Sequence, residues 1–179
     1  MFTLLLLILL VFLVLLSGFL SGSETAITAT SKARIIYKIK KGSKRAEYVL
    51  KILNYKDNVI SSLLLSNNLV NILASSLATA FFYDIFGVNG IFYSTMIMTV
   101  IIVIFAEVLP KTYALNKPTR TALAISPIIY YLNKLLFVFV FLINHIVRLI
   151  FRNKDTDRKI VDQQTEEELK GVIDLYKTS

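Results

Sequence analysis

The sequence predicts an all-α membrane protein: three transmembrane helices with broken polar segments, juxtamembrane or interfacial helices, and a short cytosolic helix. Three observations carry that prediction. Hydrophobic residues make up 55% of the 179 residues and mean hydropathy is +0.65, more than a soluble core of this length requires. The apolar residues gather into runs that match the roughly 20 residues needed to cross a bilayer as a helix. Lys and Arg flank these runs, as the positive-inside rule describes.

The net charge of +8 and isoelectric point near 9.6 would point to nucleic acid in a soluble protein. Here the bases sit beside membrane spans, so lipid headgroups account for them and no nucleic-acid partner is expected. There is no cysteine, which excludes disulfides and thiolate metal sites. One histidine, His145, cannot build a zinc site alone.

Span one is expected at about Phe2–Ile27. Its first 20 residues resemble a signal peptide with small residues at Ser21-Gly22-Ser23, but no base precedes the run and it exceeds a signal core, so an uncleaved helix is preferred. Lys32, Arg34, Lys38, Lys40, Lys41, Lys44 and Arg45 follow, with Gly42 as a turn. Such a loop belongs to the cytoplasm and places the N-terminus outside. Its interleaved Ile35, Ile36, Ile39, Val49, Leu50 and Ile52 predict short amphipathic helices on the membrane surface.

Spans two and three are expected at about Val59–Tyr83 and Ile91–Leu109, joined by a base-free external loop. Lys111, Lys117 and Arg120 return the chain to the cytoplasm, which is also where the C-terminus is expected. The stretch 121–151 is apolar but holds Pro127, Asn133, Lys134, Asn144, His145 and Arg148. Only the nine residues from Leu135 to Ile143 lack polar side chains, too few to cross as a helix. A re-entrant or interfacial hairpin broken near Asn133-Lys134 is preferred to a fourth crossing. The membrane domain is thus residues 1–153. Residues 154–179 begin a cytosolic acidic linker, where Thr165 and Glu168 form a capping box.

Each span carries a polar cluster, and such groups at membrane depth are costly. In span one, Ser17, Ser21, Glu24 and Thr28 share a helix face. Gly18 and Gly22 permit close helix approach, and packing through small residues accounts for Gly18 and Ser17. In span two, Ser66, Asn67, Asn68 and Asn71 fit either interhelical glue or a lined cavity, with the three amides able to line one side. In span three, Pro110 has no amide hydrogen, so an α-helix would leave the Ala106 carbonyl free beside Glu107. Glu107 and Lys111, four apart, could instead form a helix-end ion pair. Carboxylate, carbonyl, hydroxyl and amide oxygens are the donors that magnesium or calcium prefers.

Three segments, FLSGSETAITATSKAR, LLLSNNLVNILASSLAT and FAEVLPKTYALNKP, resemble the transmembrane domain of the CorC/CNNM magnesium transporters, whose bacterial members are known as haemolysin-related. The tail TEEELKGVIDLY is similar to the acidic helices that lead to the family's paired CBS module. The resemblance implies a homodimer in the bacterial inner membrane, with three transmembrane helices per subunit and a juxtamembrane belt. It implies a magnesium (Mg2+) site between the spans, opening alternately to either side. By motif position Ser21, Ser23, Ser66, Asn67, Asn68, Asn71, the Ala106 carbonyl and Glu107 are its candidate ligands or lining. Gly22, Glu24, Pro110 and Lys111 shape the cavity or the broken turn. The family segment usually has glycine where Ala106 stands; alanine keeps the carbonyl and adds a methyl group. The ATP-binding CBS module expected in the family is absent from this chain.

The leading expectation is therefore magnesium efflux by a secondary transporter, with sodium (Na+) as a coupling ion implied by the family. A magnesium-sensing regulator or scaffold without its own transport is the alternative. An enzyme is not expected, because no nucleophile stands with a base in these segments.

Overall fold

The computed structural model describes residues 2–133, all within the first of two compact units, Met1–Val140. The second arm of the expected hairpin, His145, Arg148 and the helix predicted after Thr165 lie outside the described residues. The described residues form a succession of helices: α1 (Phe2–Ala29), α2 (Lys32–Lys40), α3 (Lys44–Asn54), α4 (Lys56–Phe86), α5 (Asn89–Ile101), a π-helical segment (Ile102–Val108) running into α6 (Leu109–Asn116), and α7 over residues 118–133. Among the described residues no strand occurs.

Three of these described stretches are long and apolar enough to cross a membrane: Thr3–Ala29, Lys56–Phe86 and Asn89–Asn116. At 1.5 Å per residue these are roughly 40–46 Å long, so each overshoots the hydrocarbon core of about 30 Å at one or both ends. The third differs from expectation. It does not break at Pro110 but continues to Asn116, with proline in the first turn of α6. A π-helical turn has already rearranged the hydrogen bonds before that point, so the helix runs on through the proline.

Packing is inverted relative to a soluble core. Leu4, Leu5, Ile8, Val11 and Leu15 of α1, with Leu69 and Ile72 of α4, are exposed, whereas Ser17, Ser21, Ala26, Ala74, Ala78 and Ala106 are almost fully buried. In lipid no hydrophobic force draws leucines inward, so helices associate where small side chains let backbones approach. α1 packs on α4 and also on the π segment and α6, and α4 packs on α5. The α4–α5 turn is tight: Gly87 has φ +60° and a Cβ added at Gly90 would stand 2.2 Å from the Phe82 carbonyl oxygen. Phe82 stacks on Phe86 there and Tyr93 meets Phe86 edge-on, a cluster of the kind found at a membrane interface.

At the other end lies the basic belt. α2 closes on Gly42 at φ +81°, where Gly42 N–H donates to the Ile39 carbonyl (2.8 Å) and Ser43 N–H to that of Lys38 (3.2 Å), a Schellman cap. The belt helices bury Ile35, Ala46, Val49 and Ile52 and leave most of their bases exposed. Lys56 Nζ donates to the Thr28 carbonyl (3.2 Å), pairing one of the orphan oxygens at the end of α1. α7 is held by Ser126 Oγ on the Arg45 carbonyl (3.2 Å), by Tyr130 against Tyr48, and by Ser62 Oγ donating to Asn133 Oδ1 (2.9 Å).

Candidate cation site

Two adjacent faces of α1 build the site. Ser17 and Ser21, four apart, form one; Gly18 and Gly22, turned by a residue, form the next. On the first face Ser17 Oγ lies 2.7 Å from Asn67 Oδ1 and 2.6 Å from Asn71 Oδ1. A serine carries one proton and donates to one of those oxygens at a time. The second contact then brings two lone pairs together, unless that amide is turned to present its NH2 or a cation lies against the oxygens. One turn along, Ser21 Oγ is buried and makes no hydrogen bond among the described residues. Such a hydroxyl costs about 1–3 kcal/mol when nothing satisfies it. The cluster therefore gathers several oxygens within reach of one another at this depth.

On the second face the glycines admit the third span. A Cβ added at Gly18 would stand 3.1 Å from the Phe105 carbonyl oxygen and 3.2 Å from Pro110 Cγ, and one at Gly22 would stand 3.3 Å from Pro110 Cβ. In the π segment Leu109 N–H donates to the Ile104 carbonyl, five residues back. The next bond in that register would run from residue 110 to Phe105, and proline cannot donate it. In this register Pro110 leaves the Phe105 carbonyl without its donor, one residue before the Ala106 carbonyl that an α-helical register frees. Ala106 is fully buried between its neighbours and Glu107 is half-buried.

The other expected residues divide. Asn67 is buried and Asn71 half-buried on the face toward Ser17, but Asn68 is exposed; one residue is 100° of turn, so the three amides do not share a side. Ser23 is buried and donates to its own helix at the Phe19 carbonyl (2.6 Å), two residues and 200° from Ser21. Ser66 is half-buried and donates to the Ser62 carbonyl (2.7 Å). Glu24 and Lys111 are half-buried, nearer the belt. Ser17 is the residue that sequence reasoning assigns to packing and that the structure places in the polar cluster. Its signal is present in the Ser17–Ser21 spacing.

Ser17 is 12 residues from the end of α1, and Asn67 is 11 from the start of α4. Both therefore lie about 17 Å along their helices from the belt, near mid-membrane. Among the described residues no three His, Cys, Asp or Glu side chains gather to hold a metal. The donors are neutral oxygens, with Glu107 the acidic residue in the neighbouring segment. Such a set suits a hard cation.

Long apolar helices packed through small residues around buried oxygens define a polytopic membrane protein with an intramembrane polar site. The family model described as "Cyclin M transmembrane N-terminal domain" matches residues 8–179, and the chain belongs to this CorC/CNNM family, which is associated with metal transport or its regulation. It is 36% identical over 160 residues to the UPF0053 inner membrane protein YfjD of Escherichia coli, covering 88% of this chain and 37% of that protein. It is 30% identical over 170 residues to a UPF0053 protein of Haemophilus influenzae, covering 93% and 40%. The chain thus spans about two fifths of the length of these relatives.

Proposed function

We propose that this bundle moves a divalent cation, magnesium, across the membrane as an exporting secondary transporter. One observation carries the reading: three oxygens, Ser17 Oγ, Asn67 Oδ1 and Asn71 Oδ1, converge at mid-membrane beside a buried Ser21 hydroxyl that has no partner among the described residues. Magnesium takes six oxygens in near-octahedral array and often keeps some of its water. Ser17, Ser21, Asn67 and Asn71 supply one side of such a shell; the Phe105 carbonyl and Glu107 supply the other. The carboxylate offsets charge that neutral donors alone leave uncompensated in a low dielectric.

Family membership supports metal handling, and the basic belt supports a cytoplasmic C-terminal side with the N-terminus outside. The protein acts as a homodimer in the bacterial inner membrane, and a sodium gradient drives export. It is a carrier and not an enzyme.

Magnesium flux in proteoliposomes containing only the purified chain, with and without a sodium gradient, tests this. Glu107→Ala and Asn71→Ala abolish flux while the dimer persists. Normal flux in both variants would sink the site. Magnesium binding without flux in the parent chain would favour a sensor that modulates another carrier.

A further inference from the structure

A second polar feature lies outside this cluster. A cleft of about 290 Å3 separates α4 from α5; hydroxyls of Ser75, Thr79, Ser94, Thr95 and Thr99 line it together with apolar groups of Met98, Ile102 and Val103, where the π segment starts. On α4, Ser75 and Thr79 lie one and two turns beyond Asn71, and each step of four turns the row a further 40° round the helix, bringing Thr79 to Ser94 of α5. The cleft leads from Asn71 toward the α4–α5 turn, away from the basic belt. Among the described residues, none from the belt and no carboxylate lines it.

Three of its five hydroxyls are engaged among the described residues. Thr79 Oγ1 donates to the Ser75 carbonyl (2.8 Å), and Thr95 Oγ1 donates to that of Ile91 (2.8 Å). With the Thr79 proton so used, the 3.1 Å contact between Thr79 and Ser94 has Ser94 as its donor. The Thr79, Ser94 and Thr95 oxygens therefore keep lone pairs for the cleft, beside apolar wall from Met98 and Val103. A hydrated cation presents the complementary surface, since its water ligands point their hydrogens outward. A bare divalent ion is a poor match, because neutral hydroxyls do not offset its lost hydration.

We propose that this cleft is the outer vestibule of the pathway, holding a cation with its water shell between the α4–α5 side of the membrane and the Ser17–Asn71 site. The proposal rests on the transport reading of that site. Division of labour follows: the vestibule keeps the water shell and the inner cluster replaces part of it.

The absence of cysteine makes the test direct. Ser75→Cys, Thr79→Cys and Ile72→Cys are introduced singly into the full chain. They are treated with a membrane-impermeant trimethylammonium methanethiosulfonate in right-side-out and inside-out vesicles. Thr79→Cys and Ser75→Cys are expected to react from the outer side. Ile72→Cys, on the exposed apolar surface of the same helix, stays unmodified because a thiol in lipid does not ionise. Modification is expected to remove the magnesium flux each variant shows before labelling. No reaction at either position, reaction from the inner side alone, or reaction that leaves flux intact would overturn the vestibule. Outer-side reaction of the Ser75→Cys and Thr79→Cys variants, with no magnesium flux in the parent chain, would uphold a water-filled cleft and overturn the transport reading alone.

Discussion

The Pro110 ring lies in the notch that Gly18 leaves in α1: a methyl group at Gly18 would stand 3.2 Å from Pro110 Cγ and 3.1 Å from the carbonyl oxygen of Phe105. The two residues are thus one device. Proline removes the donor that the Phe105 carbonyl would use, and glycine lets that carbonyl approach α1 one residue from Ser17.

Gly18→Ala tests the notch. The neighbour it meets is backbone, so the π segment must shift by a few tenths of an ångström. Overpacking of this kind costs about 1–3 kcal/mol. We expect a lower thermal midpoint and reduced magnesium flux. Gly22→Ala, 3.3 Å from Pro110, has the same effect in smaller measure. Unchanged stability and flux in Gly18→Ala would show that the contact is not needed.

Pro110→Ala restores an N–H at position 110 and gives the Phe105 carbonyl a donor. The expected outcome is a bundle as stable as the parent, or more so, with magnesium flux lost. The thermal midpoint and the proteoliposome assay decide. Parental flux would remove the Phe105 carbonyl from the site.

The amides of α4 are predicted to separate cleanly. Asn67→Ala and Asn71→Ala remove acceptors of Ser17 and abolish magnesium-dependent flux. Asn68→Ala, at an exposed position, leaves flux within about twofold, as surface changes shift stability by no more than about 0.5 kcal/mol. Equal loss in all three would argue that Asn68 meets a functional partner.

Gly90→Ala places a Cβ 2.2 Å from the Phe82 carbonyl oxygen, against backbone that cannot move alone. The α4–α5 hairpin must open, and the folded yield in detergent is expected to collapse. Gly42→Ala, where an added Cβ meets nothing within 4 Å, carries only the backbone strain of φ +81°. Its cost is about 1–2 kcal/mol, and it is expected to fold.

The types of donor are legible in the linear sequence. Serine, asparagine and glutamate inside apolar runs are chemically conspicuous, and Gly42 as a turn follows from its place between two amphipathic stretches. Which of them meet is less legible. Ser17 carries the same side chain as Ser66 and Ser23, yet only Ser17 faces a partner helix's amides; the other two donate to their own helix. Asn68 sits beside Asn67 in sequence and on another side in space. The Phe105 carbonyl is hidden because proline's position alone implies an α-helical register, and the π segment changes it.

Taken alone, the sequence determined three crossings, a basic belt on one side and hard oxygen donors at membrane depth. Hydropathy, charge and ligand type are properties of residues in linear order, so a single chain displays them directly. Only the tertiary structure decided the constellation. Ser17 and Asn67 are 50 residues apart, and their meeting depends on how two helices are rotated against each other. Gly18 and Gly22 set how near the third span can come, and one residue of register selects which carbonyl is released. Rotation and register arise from packing between segments, where a step of 100° carries a side chain from the site to the lipid.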